Sequence, residues 1–280
     1  MHLTNLHTHT NYCDGKCNTE EMILSAINKN FYTIGISTHG PVTYGTDWNI
    51  NVCNLEKYIE EVLFLKGKYK NKIDVFLGME LDYLPGTGFN ELEISLIKKL
   101  DYYIGSVHYL GSFDNGTMWT VDYTIEELFR GINESFNGNI KLAVEAYYKS
   151  IADMAEKFQP PIIGHLDLIK KNNKNNILFD ESEEWYISSV EKCLDIIKNT
   201  KSIIEINTGG MARGYTKEQY PSSFILKMIK EKNIPVIINS DAHTAETINY
   251  KLNEMRDLVK SMGFKNLSCL SKSGWTVEEI

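Results

Sequence analysis

Short apolar runs alternate with longer amphipathic ones along the chain. The apolar runs are Leu3–Leu6, Thr33–Ser37, Val75–Met79, Tyr102–Val107, Ile162–Gly164, Ile203–Ile206 and Val236–Asn239. Stretches of this kind, bounded by Gly, Asn or Pro, predict strands of a parallel sheet buried on both faces. Helical periodicity covers Thr19–Asn30, Leu55–Tyr69, Glu91–Leu100, Ile140–Phe158, Ser182–Asn199, Ser222–Lys232 and Ala245–Met262. Strand-then-helix alternation predicts βα units. Seven strands spread over the chain, with no Gly/Ser/Pro linker between them, favour one α/β domain over residues 1–280. The expected architecture is a TIM-like barrel of parallel strands, with its active site at the strand C-terminal ends. Leu110–Thr124 is the longest connection without clear periodicity and carries Asp114, Trp119 and Asp122. Long loops of this kind often shape a pocket. Lys171–Asn176 reads as a solvated loop.

Composition narrows the class. With 280 residues, 42% hydrophobic and 24% charged, the chain can bury a sizeable core. A net charge of −8 weighs against nucleic acid as the main partner but leaves room for phosphate held by bound cations. The five cysteines, Cys13, Cys17, Cys53, Cys193 and Cys269, do not have the spacing of a disulfide framework or a zinc ribbon. They read as reduced thiols of a cytoplasmic protein. Residues Met1–Asn5 lack a basic region followed by an apolar run, and no stretch approaches the length of a membrane span. No membrane partner is expected, and the sequence does not indicate an oligomeric state.

The candidate chemistry lies at the ends of the predicted strands. Six of the seven histidines, His7, His9, His39, His108, His165 and His243, end or follow one; His2 does not. Asp14, Glu80 and Asp241 share that placement. His7-Thr8-His9 sets two imidazoles at i and i+2, on one side of an extended chain. Asp241-Ala242-His243 repeats this spacing after the last strand, and the two pairs can meet only if the sheet closes. Imidazole and carboxylate without thiolate suit Zn²⁺, Mn²⁺ or Fe²⁺. Any one of these residues alone is more simply a core or turn residue. It is the joint pattern that points to a multinuclear metal site.

Six motifs in series resemble those of the PHP (polymerase and histidinol phosphatase) family. They are Leu6-His7-Thr8-His9-Thr10 with Asp14-Gly15, Ser37-Thr38-His39-Gly40, Gly78-Met79-Glu80, Gly105-Ser106-Val107-His108, Gly164-His165-Leu166-Asp167 and Asn239-Ser240-Asp241-Ala242-His243. The resemblance implies a distorted (βα)7 barrel and two or three divalent ions. It implies one ion on His7, His9, Glu80 and Asp241, and a second on Glu80, His108 and His165, with Glu80 bridging. A third would take Asp14, His39 and His243. Asp14, where many members carry histidine, is similar to the histidinol-phosphatase branch. Trp119–Asp122, Gly164–Lys171 and Glu205–Gly210 are also similar to that branch.

The implied reaction is hydrolysis of a phosphate monoester, histidinol phosphate in that branch, by water acidified on the metals. Asp241 and His243 are candidates for proton transfer to the leaving group. Arg213, in the Gly-rich run after strand six, suits phosphate through its forked guanidinium. Arg256, in the last helical pattern, is expected to face solvent. Lys170 and Lys171 are further candidates for the phosphate, and Trp48, Trp119, Asp114 and Asp122 for a cationic, heteroaromatic remainder. Three rivals use related features. A PHP-type phosphodiesterase or nuclease needs a basic groove, an amidohydrolase also opens with HxH on a barrel strand, and a metal-binding module needs no open coordination site.

Overall fold

The computed structural model describes residues 3–42, 44 and 46–280. His2, the histidine set apart by sequence, lies outside them. The described strands are β1 (Leu3–Asn5), β2 (Phe31–Ile36), β3 (Asp74–Leu77), β4 (Glu80–Asp82), β5 (Ile104–Ser106), β6 (Tyr109–Ser112), β7 (Met118–Thr120), β8 (Ile162–Ile163), β9 (Ile203–Asn207), β10 (Val236–Asn239), β11 (Asn266–Ser271) and β12 (Gly274–Glu279). The helices are α1 (Thr19–Asn28), α2 (Leu55–Tyr69), α3 (Glu91–Ile97), α4 (Ile125–Phe136), α5 (Ile140–Phe158), α6 (Glu184–Ile197), α7 (Gly209–Ala212), α8 (Ser223–Glu231) and α9 (Leu252–Ser261).

Parallel pairing orders β1-β2-β3 in one sheet and β10-β9-β8-β5-β4 in another. The predicted strand Val75–Met79 is therefore divided: β3 ends at Leu77, and Glu80 opens β4 rather than following a strand. Two isolated parallel bridges extend the pairing, Thr8 to Ala242 and His39 to Glu80. The first joins the chain leaving β1 to the chain leaving β10. The second joins the chain leaving β2 to β4.

Helix starts follow the local chemistry. Asn18 and Asn90 cap α1 and α3, each completing a capping box with Glu21 or Glu93. Thr124 caps α4 and Asn139 caps α5 by accepting backbone N–H groups of the first turn. The buried side of α5 is continuous, from Ala143 and Val144 through Tyr147, Tyr148 and Ile151 to Met154 and Ala155.

Three regions depart from the sequence reading. The aperiodic segment Leu110–Thr124 contains most of an antiparallel hairpin, β6–β7, followed at once by α4. The helix expected from Ala245 begins at Leu252, because Lys251 takes a left-handed φ of 52° and only a short turn at Ala245–Thr247 precedes it. Beyond Met262, where the βα alternation ends, β11 and β12 form an antiparallel hairpin. Its buried residues, among them Leu267 and Leu270, are too few to announce a strand by periodicity.

Candidate metal centre

The rim is assembled from chain ends that leave parallel strands. His7 and His9 leave β1 with their rings 5.1 Å apart and fully buried. The bridge from Thr8 to Ala242 places the residues on either side of Ala242 next to this pair. His9 N–H donates to the Ala242 carbonyl at 2.8 Å, and the His9 and His243 rings stack at 4.1 Å. Asp241 has a φ of 50°, a left-handed conformation that Asp tolerates better than most residues. The neighbouring chain fits only because residue 209 is glycine: a Cβ there would lie 2.7 Å from Asp241 Oδ2. Gly15 serves the Asp14 turn in the same way, since its Cβ would meet Thr10 N at 2.5 Å.

Glu80 stands at the centre. Its Oε2 lies 3.1 Å from His7 Nε2, 3.2 Å from His39 Nδ1 and 3.5 Å from His9 Nε2. Its Oε1 lies 2.8 Å from His165 Nε2 and 3.6 Å from His108 Nε2, and accepts the Ser106 hydroxyl at 2.6 Å. Burial alone would raise the Glu80 pKa, but His7, His39 and His108 hold it well below the usual carboxylate range. Asp241, 3.2 Å from His9 Nε2, is also held low against burial, chiefly by Arg213 and His7. Asp14 reaches His243 Nε2 at 3.1 Å and His39 Nε2 at 3.9 Å. All nine sequence-derived ligand candidates thus stand together.

Do these residues fit metal ions? Among the described residues, His7 Nε2, His9 Nε2, His39 Nδ1, His165 Nδ1 and Asp14 Oδ1 are buried without a hydrogen-bond partner. Their concentration at one rim, all in ligand-type side chains, is what a cation site requires. Three groups have ligand atoms within 4.8 Å of one another: His9, Asp14, His39 and His243; His7, His9 and Asp241; and His39, Glu80 and His108. The grouping crosses the division that the resemblance implied, since His9 and His39 each serve two groups.

Two supporting carboxylates went unassigned in the sequence. Glu205, in β9, accepts His7 Nδ1–H at 2.7 Å, which leaves the His7 Nε2 lone pair for a cation. Glu205 also accepts from Asn239, Asn207 and the His165 backbone N–H. Asp82 receives His108 Nδ1–H at 2.5 Å and Asn49 at 3.0 Å. A signal for each was present. Glu205 interrupts the apolar run Ile203–Ile206, where an acid must be paired. Asp82 sits two residues after Glu80, on the same strand face.

A cavity of about 440 Å³ opens over this rim. Its loop side is lined by Lys16, Asp47, Trp48, Asp122, Tyr123, Lys171, Arg213 and Tyr215. Arg213 donates to Asp241 Oδ2 at 2.9 Å and to His243 Nδ1 at 2.7 Å. His243 Nδ1 also lies 3.0 Å from the Asp241 carbonyl, and its Nε2 faces Asp14. Lys171 pairs with Asp122 at 3.1 Å and lies 4.4 Å from the Tyr215 ring centre. Trp48 lies near-parallel to Tyr109 and Tyr123, with centroids at 6.1 and 5.7 Å.

Three candidates fall elsewhere. Trp119 is fully buried, donating to Ser135 Oγ at 3.0 Å, because α4 lies against its hairpin. Asp114 is exposed at the hairpin turn, away from the cavity. Lys170 points away from the rim into a cluster of carboxylates.

The chain belongs to the PHP domain family, which matches residues 5–209. Asp241 and His243 lie beyond that match, yet the fold returns them to its first motif. The chain is 29% identical to a histidinol-phosphatase of Bacillus subtilis over 87% of this chain and 94% of that one. The solved HisK structure of Listeria monocytogenes superposes with a TM-score of 0.78 at 25% identity, covering 90% of this chain and 99% of that one. A histidinol phosphate phosphatase of Lactococcus lactis, solved with Zn, L-histidinol and phosphate, gives a TM-score of 0.71 at 22% identity over 98% of both chains.

Proposed function

We propose that this protein is a metal-dependent phosphomonoesterase that hydrolyses histidinol phosphate to histidinol and phosphate, a step of histidine biosynthesis. The observation that carries the reading is the ring of ligand side chains around Glu80, beneath a cavity that also presents Arg213. The relatives named above act in the same sense. Two or three divalent ions, Zn, Mn or Fe, fit the nine side chains. When bound, such ions supply positive charge for phosphate oxygens and acidify water toward neutral pKa.

The chain's own residues do the rest. Glu80 and Asp241, both ionised, compensate the cation charge. Glu205 and Asp82 fix the tautomers of His7 and His108. Arg213, already at the cavity wall, offers its fork to the phosphate. The two proton-transfer candidates, Asp241 and His243, both contact Arg213. Both line the cavity where the leaving alkoxide would take up its proton. On the loop wall, the Trp48 face and the Asp47 and Asp122 carboxylates suit an imidazole and an ammonium.

The reading includes closure of the two sheets into a seven-stranded barrel, with the successive segments β3 and β4 counted as one strand, a single domain over residues 1–280, and action in the cytoplasm. Closure is supported by the Thr8–Ala242 and His39–Glu80 bridges, and the cytoplasm by five free thiols. The test compares kcat/KM of metal-loaded protein for histidinol phosphate, an aryl phosphate, a phosphodiester and single-stranded DNA. Preference for histidinol phosphate is expected. Preference for the diester or DNA would move the chain to another PHP activity.

A further inference from the structure

Lys170 carries a buried ammonium with no access to the metal rim. Its Nζ lies 3.0 Å from Glu218 Oε1, 3.2 Å from Asp167 Oδ2 and 3.9 Å from Glu181 Oε2. The side chain is only 5% exposed. Both nearer carboxylates have a second task at the start of α8. Asp167 Oδ2 accepts Ser222 N–H at 2.8 Å, and Glu218 Oε2 accepts Ser223 N–H at 3.1 Å. Three chain segments therefore meet at one cation: the turn after His165, the loop around Glu181, and the loop from Arg213 to Ser223.

Two of those segments build the loop wall of the cavity. Lys171, next to Lys170, reaches Asp122 and covers one side of Tyr215. Arg213 lies 5.7 Å from the same ring. The Arg213–Ser223 loop returns on itself through Tyr215 N–H to the Gly210 carbonyl and Thr216 Oγ1 to the Glu218 carbonyl. Without the ammonium, three carboxylates would face one another in a half-dry pocket, and mutual repulsion would drive the segments apart.

We propose that Lys170 is a positioning residue: its ammonium locks the Arg213–Tyr215 loop to the His165–Lys171 turn and so sets the phosphate-facing wall of the cavity. This rests on the reading of that cavity as a phosphomonoesterase site. Lys170 does not line that cavity. It acts through Arg213.

The test makes Lys170→Met and Lys170→Arg in the wild-type and Arg213→Ala backgrounds. Readouts are metal content, affinity for inorganic phosphate, kcat/KM, and hydrogen exchange of amides 213–223 in metal-free protein. Lys170→Met is expected to keep its metal, to speed exchange in that loop, and to lose about tenfold in kcat/KM and phosphate affinity, whereas in the Arg213→Ala background it should cost less than about twofold. Lys170→Arg should restore part of the loss, because it keeps the charge. An equal loss in both backgrounds, or unchanged exchange and phosphate affinity, would overturn the proposal. If Lys170→Met does not fold, Glu218→Gln, which weakens one of the three links, carries the same test with a smaller effect. A wild type inactive on histidinol phosphate would sink the functional reading alone, because loop exchange and phosphate binding still decide the role of Lys170.

Discussion

The two sides of the cavity are built by different means. The metal side comes from strand ends: His7, His9, Glu80, His165 and Asp241 are placed by parallel pairing and by bridges such as Thr8 to Ala242. The loop side comes from long connections: Arg213, Tyr215, Lys171, Asp122 and Trp48 are held by ion pairs, hydrogen bonds and ring contacts to side chains of other segments. A backbone ladder fixes a ligand within a narrow range and tolerates little change. A loop wall held by ion pairs and ring contacts can be retuned without disturbing the chemistry beneath it. Substitutions on the two sides should therefore fail in different ways, metal first on one and substrate first on the other.

Glu80→Gln should have the largest effect. The carboxylate is shared by five imidazoles within 3.6 Å. An amide keeps the shape but not the charge that cations need. Loss of bound metal and of nearly all turnover is expected, beyond the roughly 10–100-fold that follows loss of an outer-shell partner. Chelation of the wild type should reproduce the loss, and restored metal should reverse it. A Glu80→Gln protein with full metal content and near-normal rate would remove Glu80 from the centre.

Arg213→Ala probes the loop side. Loss of its charge-assisted contacts to phosphate should cost about 2–4 kcal/mol in kcat/KM, by analogy with removal of an anion-hole donor. Arg213→Lys should recover only part, since an ammonium lacks the fork. Metal analysis sharpens the comparison, because Arg213 also touches Asp241 and His243. Retained metal with weaker phosphate inhibition assigns Arg213 to the substrate side. Metal lost in parallel with rate would assign it to the rim.

Glu205→Gln returns to the metal side, one shell out. The amide can still accept from His7 through its oxygen, but it gives up the charge that opposes the cations and disturbs contacts to Asn207 and Asn239. Metal affinity should fall about 10–100-fold, with turnover restored at high metal concentration. Rescue by metal distinguishes this change from Arg213→Ala, which added metal should not repair. Unchanged affinity would mean that the amide oxygen orients His7 as well as the carboxylate does, without its charge.

The difference between the two sides also explains what the sequence could disclose. Strand-end ligands repeat at fixed spacing, so His7-Thr8-His9 and Asp241-Ala242-His243 declared themselves before their meeting was visible. Arg213 stood out because arginine is scarce in this chain and follows a strand. Glu205 and Asp82 were legible in principle, as an acid within an apolar run and a carboxylate two residues from a ligand. The direction of a loop side chain was not legible. Lys170 and Lys171 are adjacent and alike in type, yet one turns to the carboxylates of three loops and the other to the cavity. Trp119 likewise shares a short segment with Asp122, but the packing of α4 takes its ring into the core. Such choices depend on partners distant in sequence, as does the point at which α9 begins.

Arg256→Ala should have the smallest effect and tests whether the comparison is about the cavity at all. Arg256 lies in α9, and its guanidinium takes both carboxylate oxygens of Glu278 at 3.0 and 3.2 Å, with a further bond to the Glu279 carbonyl. It thereby ties α9 to β12 rather than facing solvent as its helical position suggested. The pair is only partly buried, so its loss should cost about 0.2–1 kcal/mol of stability. For a chain of this length that is at most a few degrees in Tm, by the usual scaling of about 2–4 °C per kcal/mol. Metal content and kcat/KM should stay at wild-type values, since Arg256 lines neither side of the site. Thermal unfolding and steady-state kinetics on the same preparation check both statements. A fall in kcat/KM without loss of metal would mean that the C-terminal hairpin communicates with the loop wall. The division between a rigid metal side and a tunable substrate side would then have to extend beyond the cavity.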